Sequence, residues 1–242
     1  MTDPRFIIFS DGASKKNPGA GGWGAIVADL SAETVRELGA AVPIASNNQM
    51  EMMGVIQALK EIASESGTVK VYTDSKYLIK GITEWISSWK KNNWTTSSGT
   101  PVKNQAYWHE LDSLISSRQE GEHSIAFQYT PGHKGIPGNE RVDTIASDFA
   151  NRLTPTLYTG NLANYQISLK VDPSLLSQDK SRSPKKKSNQ KAFSYLSLIN
   201  NQLQIHRTWA ECEARVRGVS GARYKKALSA DDEIKIRNQW GY

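Results

Sequence analysis

Cysteine is almost missing from this chain: among 242 residues the only one is Cys212. A disulfide scaffold needs paired cysteines, so that class is excluded. Long apolar runs are missing too. Runs such as Phe6-Ile-Ile-Phe9 are far shorter than the ~20 residues a membrane span requires. No apolar stretch of signal-peptide length opens the chain, and Asp3 and Arg5 stand where one would begin. One thiol, no export signal and no span predict a reducing, cytoplasmic setting without a membrane partner. What is present suffices for a core, with 38% hydrophobic and 9% aromatic residues. A chain of this length buries roughly 70% of its unfolded surface. At ~150 residues per domain it holds between one and two domains.

Net basic charge is lacking in the front of the chain and collects in the tail. The net charge is +6, and residues 177–191 carry about +5 of it, from Lys180, Arg182, Lys185, Lys186, Lys187 and Lys191 against Asp179. Residues 192–242 add about +3, which leaves about −2 for residues 1–176. The stretch 177–191 is Ser, Pro, Lys and Gln with almost nothing apolar. Such a composition cannot offset its ordering entropy by burial, and predicts a flexible linker. It is either a solvated spacer or a basic arm that touches phosphates.

Periodicity organises the front half. Phe6-Ile-Ile-Phe9 ends at Ser10-Asp11-Gly12 and predicts a buried strand followed by a turn. Strands are predicted over 21–30, 34–42, 68–73 and 122–130, and helices over 47–63, 75–91, 104–119 and 139–153. Ser46 with Gln49 forms a capping-box pattern, and Asn139 is the expected N-cap of the last helix. The order implies a mixed sheet with helices on its faces.

Four acids stand at special places. Asp11 follows the first strand, Glu51 lies one turn into the first helix, Asp74 ends the fourth strand and Asp143 opens the last helix of this region. Each alone would be a cap or a solvated turn. Together they suit strand-end positions where ligands bind. Clustered carboxylates repel unless a cation neutralises them. Hard divalent cations take oxygen ligands, and a pair ~3.5–4 Å apart can clamp the attacking and leaving oxygens of a phosphodiester displacement.

These residues resemble a known family, type 1 ribonuclease H. The resemblance runs through Phe9-Ser-Asp11-Gly12, Asn17-Pro-Gly19-Ala-Gly21-Gly-Trp23-Gly-Ala25, Asn47-Asn48-Gln-Met-Glu51-Met, Tyr72-Thr-Asp74-Ser75, Gly132-His133 and Gly138-Asn139-Glu140-Arg-Val-Asp143. It covers roughly residues 4–153. It implies an α/β fold, a five-stranded mixed sheet flanked by helices. It implies hydrolysis of the RNA strand of an RNA–DNA hybrid, by a two-metal-ion mechanism that leaves 5′-phosphate and 3′-hydroxyl ends. The implied cofactor is Mg²⁺, two ions per site, with Mn²⁺ as a substitute. By the resemblance Asp11, Glu51, Asp74 and Asp143 hold metal, with Asp11 as the bridge. His133, on a glycine-rich loop, assists proton transfer or product release. Asn17, Asn47 and Asn48 line the hybrid groove, where amides both donate to and accept from a 2′-hydroxyl. Helix capping is the plainer role for Asn47 and Asn48. Lys76 departs from the resemblance, standing where many bacterial relatives carry Gln; it replaces an amide with a cation that can reach phosphate.

No acid lies between Glu84 and Glu110, while Trp85, Trp89, Lys90, Lys91, Trp94, Lys103 and Trp108 crowd together. Cations interleaved with rings suit a nucleic-acid backbone. Trp85 and Trp89, spaced i,i+4, equally suit core packing. The resemblance makes Lys90, Lys91 and Trp94 part of a basic handle on the DNA strand.

Residues 192–242 predict a small α+β domain, with strands over 193–199 and 202–206 and a helix over 208–216 capped by Thr208 with Glu211. Thr208-Trp-Ala-Glu-Cys212-Glu and Gly221-Ala-Arg223-Tyr224-Lys225-Lys226 resemble the small hybrid-binding domain of eukaryotic ribonucleases H and viroplasmin-type proteins. The resemblance implies that Trp209 and Tyr224 stack on the DNA strand, with Tyr195, Lys225 and Lys226 nearby. Otherwise Trp209 and Tyr224 are simply the core of a tiny domain. That module usually precedes the catalytic domain; here it follows, which reverses the tether.

The expected organisation is a catalytic domain over 1–153, a linker over 154–191 that is flexible from 177, and a hybrid-binding-like domain over 192–242. The role of 154–176 is open: it packs on the sheet or links it. The expected partner is an RNA–DNA hybrid, with no obligate protein partner evident. The rival is a non-catalytic binder of double-stranded nucleic acid, which an absent carboxylate would have favoured. A retroelement-derived nuclease is disfavoured by the lack of a polymerase domain.

Overall fold

The structure is a computed structural model that describes residues 3–120, 124–176, 192–219 and 221–242. The chain divides into two compact units, Met1–Lys180 and Ser181–Tyr242. The linker expected over 177–191 and the start of the strand expected at 122–123 lie outside the described residues.

The first unit is built on a mixed sheet. Strands β1 (Phe6–Ser14), β2 (Gly19–Asp29) and β3 (Thr34–Ala45) form an antiparallel meander. Strands β4 (Val69–Thr73) and β5 (Ile125–Tyr129) add to the other edge of β1 in parallel. A sixth strand, β6 (Thr159–Asn161), pairs antiparallel with β3 and completes the order β5-β4-β1-β2-β3-β6. The sheet is thus one strand wider than the five expected. The extra strand comes from residues 154–176, whose short polar segment carries little strand pattern of its own.

The central strand shows why the sheet is covered on both faces. Alternate side chains point to opposite sides, so Phe6 and Ile8 enter one core while Ile7 and Phe9 enter the other. The first core takes Met52, Val55, Ile56 and Leu59 from helix α1 (Asn47–Glu61) and Trp108 and Leu111 from a long helix, α4 (Gln105–Glu120). The second takes Val142 from α5 (Pro137–Ala150), Leu169, and the partly buried Tyr158, Leu162 and Tyr165. Residues 154–176 therefore pack on the sheet.

Local chemistry explains most boundaries. The expected capping box forms at α1: Ser46 accepts from the Gln49 amide and the Gln49 side chain accepts from the Ser46 amide. The helix expected over 75–91 is broken into α2 (Lys76–Lys80), a π-helical turn (Gly81–Trp85) and α3 (Ile86–Lys91). Gly81 there lies flat against the Trp108 indole, where no Cβ would fit. Trp108 is fully buried and donates to the Tyr77 hydroxyl at 3.1 Å. Removing such a ring costs about 3–5 kcal/mol, so this tryptophan is structural. Helix α5 begins at Pro137 with Ile136 as N-cap, two residues ahead of the expected start. Asn139 is not the cap; it is buried and its Oδ1 accepts from the Thr130 hydroxyl at 2.9 Å.

The second unit is a three-stranded antiparallel sheet ordered β8-β7-β9, from β7 (Ser194–Ile199), β8 (Gln202–His206) and β9 (Arg223–Ala227). Helices α7 (Trp209–Val216) and α8 (Ala230–Gln239) pack on it, after the four-residue α6 (Pro173–Leu176) of the first unit. The Thr208–Glu211 capping box opens α7 as expected. Leu196, Ala227 and Ile236 form its core, with Cys212 also buried.

Candidate active site

Strand pairing opens the site. β1 and β4 pair only from Phe6 with Val69 to Phe9 with Tyr72. β1 runs on beyond that point, still paired with β2, with Asp11 opposite Gly24. Asp11 therefore lies within β1, not in a turn after it, because the β2 ladder holds that stretch extended. The edge that β4 no longer covers becomes a crevice at the carboxyl ends of β1 and β4, a usual place for ligands in such sheets. Asp74 follows β4 at its mouth. Gly12 lets α1 close down on β1: a Cβ there would collide with the backbone of Met50 and Glu51. That contact carries Glu51 toward Asp11. Asp143 comes from the second turn of α5.

Each carboxylate is held differently. Asp11 Oδ1 accepts from the Gly12 amide at 2.7 Å. Glu51 Oε2 accepts from the Ser75 hydroxyl at 2.5 Å. Ser75 also caps α2 through the Leu78 amide, which frees Asp74 from capping. Among the described residues Asp143 receives a long bond from Ser147 Oγ at 3.5 Å, with His133 Nδ1 3.8 Å from its Oδ2. His133 is 83% exposed and has a φ of 53°.

The electrostatics tie these groups into one cluster. Burial, then the charge of Asp74, raises the Asp11 carboxyl to about 8; the Gly12 hydrogen bond opposes this, and Asp143 and Glu51 add to it. Glu51 is raised by burial, against the Ser75 hydrogen bond and with help from Asp74. Asp74 is raised by burial and by Asp143, while its own amide and the charge of His133 pull it down. Carboxyls that disfavour ionisation through one another are suited to a cation. The donors are all hard oxygens, which fits a hard divalent ion. Among the described residues, no three Asp, Glu, His or Cys side chains already close on one point; bare carboxylates repel, and the cluster stands open.

The amides lie beside this crevice. The Asn47 amide N–H donates to Asn17 Oδ1 at 3.0 Å, while Asn47 Oδ1 is buried and accepts no hydrogen bond. Asn48 follows it in the first turn of α1, half-buried. Ser46, not either asparagine, caps this helix. In the tryptophan-rich segment, Lys90 Nζ pairs with Asp112 at 2.7 Å, Lys91 is exposed, and the half-buried Trp94 packs on His109 with ring centroids 3.9 Å apart. Lys76 Nζ lies 4.9 Å from the Tyr129 ring centroid.

In the second unit Tyr195, Trp209 and Tyr224 make a row of rings, 5.7 Å and 5.4 Å between centroids. Trp209 is 39% and Tyr224 54% exposed, so these rings are surface rather than core. Register puts Tyr195 opposite Lys226 and Ser197 opposite Tyr224. Strand alternation thus sets Lys226 on the ring face and Lys225 on the other, where its Nζ donates to Gln239 at 2.5 Å.

Two features were not legible in the sequence. Ser75 tethers Glu51 across 24 residues. Glu37, on β3, is buried and takes Arg141 at 2.7 Å on both oxygens. The only signal was an acid two residues from Val35 on the inward face of a strand, and a lone charged side chain is ordinarily read as solvent-facing.

No helix among the described residues is long and apolar enough to cross a membrane. The RNase H family model matches residues 3–151, and a model described as the ribonuclease H1 N-terminal domain matches residues 201–231. Ribonuclease H of Thiobacillus denitrificans is 45% identical over 147 residues, covering 61% of this chain and 94% of that protein. Ribonuclease HI of Pseudomonas aeruginosa is 45% identical over 148 residues, covering 61% and 95%. Among solved structures, LC9-RNase H1, a type 1 RNase H with the type 2 active-site motif, is similar in fold at a TM-score of 0.55 and 24% identity, over 67% of this chain and 81% of that one. A foamy viral protease–reverse transcriptase in complex with RNA/DNA hybrid gives 0.53 at 17% identity, over 62% and 20%. With the carboxylate crevice, the sheet around it and a family match over most of the chain in agreement, this protein belongs to the ribonuclease H family of hydrolases, as a type 1 member.

Proposed function

We propose that the first unit hydrolyses the RNA strand of RNA–DNA hybrids with Mg²⁺, or Mn²⁺ in its place, leaving 5′-phosphate and 3′-hydroxyl ends. The observation that carries this reading is the crevice where β1 and β4 part, with Asp11, Glu51 and Asp74 each raised by burial and by the charge of a neighbouring carboxylate, Asp143 included. Asp11, Glu51, Asp74 and Asp143 would hold two divalent ions. When bound, these supply an activated water at neutral pH and charge stabilisation at the attacking and leaving oxygens. The residues of the chain do the rest. Gly12 and Ser75 orient Asp11 and Glu51 by hydrogen bonds. His133, exposed on its loop beside Asp143, exchanges a proton with the departing 3′ oxygen or with solvent as product leaves. Asn47, whose buried Oδ1 has no partner of its own, acts with Asn17 and Asn48: their amide oxygens accept from 2′-hydroxyls and their NH₂ groups donate to them, which selects RNA.

The second unit would add hybrid affinity through Tyr195, Trp209, Tyr224 and Lys226, whose rings and charge share one face. A tether between two weak sites raises the effective concentration of the second. Lys91, exposed beside Trp94, would touch the DNA backbone.

The test is single-turnover cleavage of an end-labelled hybrid with Mg²⁺, beside the same RNA in an RNA–RNA duplex, with Asp11→Asn as control for contaminating nuclease. Hybrid-only cleavage that vanishes in Asp11→Asn is expected. Tight hybrid binding without Mg²⁺- or Mn²⁺-dependent cleavage would leave a non-catalytic binder.

A further inference from the structure

Asp143 is held more loosely than Glu51 or Asp11. Glu51 has the Ser75 hydroxyl and Asp11 the Gly12 amide, both at short range. Asp143 has Ser147 at 3.5 Å, and its side chain is 36% exposed. Its place therefore depends on the backbone of α5, and the N-cap of α5 offers no side-chain hydrogen bond. Arg141 stands two residues before Asp143, about 200° around the helix at ~100° per residue. The two side chains thus leave the same turn in nearly opposite directions.

Arg141 is anchored by a saturated carboxylate. Glu37 Oε1 accepts from Arg141 Nε at 2.7 Å and from the Tyr165 hydroxyl at 2.7 Å. Glu37 Oε2 accepts from Arg141 Nη2 at 2.7 Å and from the Tyr158 amide at 2.9 Å. Arg141 Nη2 also donates to the Thr156 carbonyl at 2.9 Å. The Glu37 side chain is 1% exposed. A bidentate guanidinium–carboxylate pair fixes orientation as well as distance, and burial excludes water that would loosen it. Two of the four bonds to Glu37 come from residues 154–176, which lie beyond the motifs of the catalytic domain. Tyr158 and Tyr165 also pack ring to ring at 5.0 Å.

We propose that Glu37, Arg141 and Tyr165 are positioning residues for Asp143, and that residues 154–167 are thereby part of the metal-binding unit rather than a connector. This rests on the reading of Asp143 as a metal-holding carboxylate. The clamp acts on the ligand set through the helix backbone; loss of a partner hydrogen-bonded directly to a metal ligand costs roughly 10–100-fold in metal affinity, and a positioning group one step further out costs less. Tyr165→Phe removes one hydrogen bond and keeps the ring; Glu37→Gln breaks the ion pair itself.

The experiment is Mn²⁺ titration by calorimetry on the full chain without nucleic acid, for wild type, Asp143→Asn, Tyr165→Phe and Glu37→Gln. Hybrid binding in EDTA is measured beside it, and circular dichroism checks folding. Expected are a loss of Mn²⁺ affinity in Asp143→Asn, a drop of about threefold to tenfold in Tyr165→Phe, just below that range, and hybrid affinity in EDTA equal to wild type. Cleavage by Tyr165→Phe should recover at saturating metal. Wild-type Mn²⁺ affinity in folded Tyr165→Phe, with the Asp143→Asn loss intact, would overturn the clamp alone, whether or not Glu37→Gln folds. Wild-type affinity in Asp143→Asn would overturn the carboxylate site and the clamp together.

Discussion

Asp11→Asn should make the metal-free protein more stable while abolishing its activity. The Asp11 carboxyl is raised from 3.8 to about 8 by burial and by the charges of Asp74, Asp143 and Glu51. At ~1.36 kcal/mol per tenfold step, that rise corresponds to about 6 kcal/mol against the ionised form. The proton is shared among neighbouring carboxyls, so one substitution recovers only part, about 1–3 kcal/mol. An asparagine keeps the acceptor that the Gly12 amide uses at 2.7 Å, and its NH₂ faces acceptors instead of repelling them. In a chain of this size 1 kcal/mol moves the melting temperature by about 2–4 °C. The pH dependence identifies the cause. A carboxyl raised in the folded state contributes stability that is complete below its ordinary value near 4 and is lost as pH climbs to about 8. The margin of Asp11→Asn over wild type in EDTA should therefore be small at pH ~4.5 and largest near pH ~8. Thermal melts followed by circular dichroism in EDTA across this range provide the assay. A margin that is absent, or constant with pH, would refute the reasoning. Added Mg²⁺ should stabilise wild type and reverse the order.

Three further outcomes follow from other contacts. Burial raises Glu37, but hydrogen bonds from Arg141, Tyr165 and the Tyr158 amide more than offset it and hold its carboxyl below the ordinary value. Its contribution is therefore present above pH ~4.3 and lost as pH falls further. Glu37→Gln should cost about 3 kcal/mol at neutral pH, and urea melts should show that gap narrowing in acid. His133→Ala should lower kcat by about 100-fold, the low end for a positioned acid or base, with little change in hybrid affinity, read by single-turnover kinetics; an unchanged kcat would remove the proton-transfer role. Trp209→Ala and Tyr224→Ala should each weaken hybrid binding by about 1–3 kcal/mol in fluorescence anisotropy, and Lys226→Ala should weaken it more than Lys225→Ala. Equal effects of the two lysines would contradict the face assignment.

The sequence alone determined the elements whose chemistry is local. Alternation marked the strands, Ser46 with Gln49 and Thr208 with Glu211 marked two helix starts, and the ordered motifs marked four carboxylates. Each depends on residues a few positions apart, so a linear reading reaches it. Pairing and packing decided the rest. Asp11 belongs to a strand because β2 stays paired beyond the point where β4 stops. Asn139 is buried against Thr130 instead of capping α5. Lys225 turns away from Lys226 because the register of β9 on β7 fixes which faces share a side. Residues 154–176 carried no strong period, and the buried Glu37, the edge of β3 and the second core gave them a place. Contacts between residues tens or more than a hundred positions apart, such as Glu37 with Arg141 and Tyr165, leave no spacing in the chain to read, because their geometry exists only once the sheet and helix have docked.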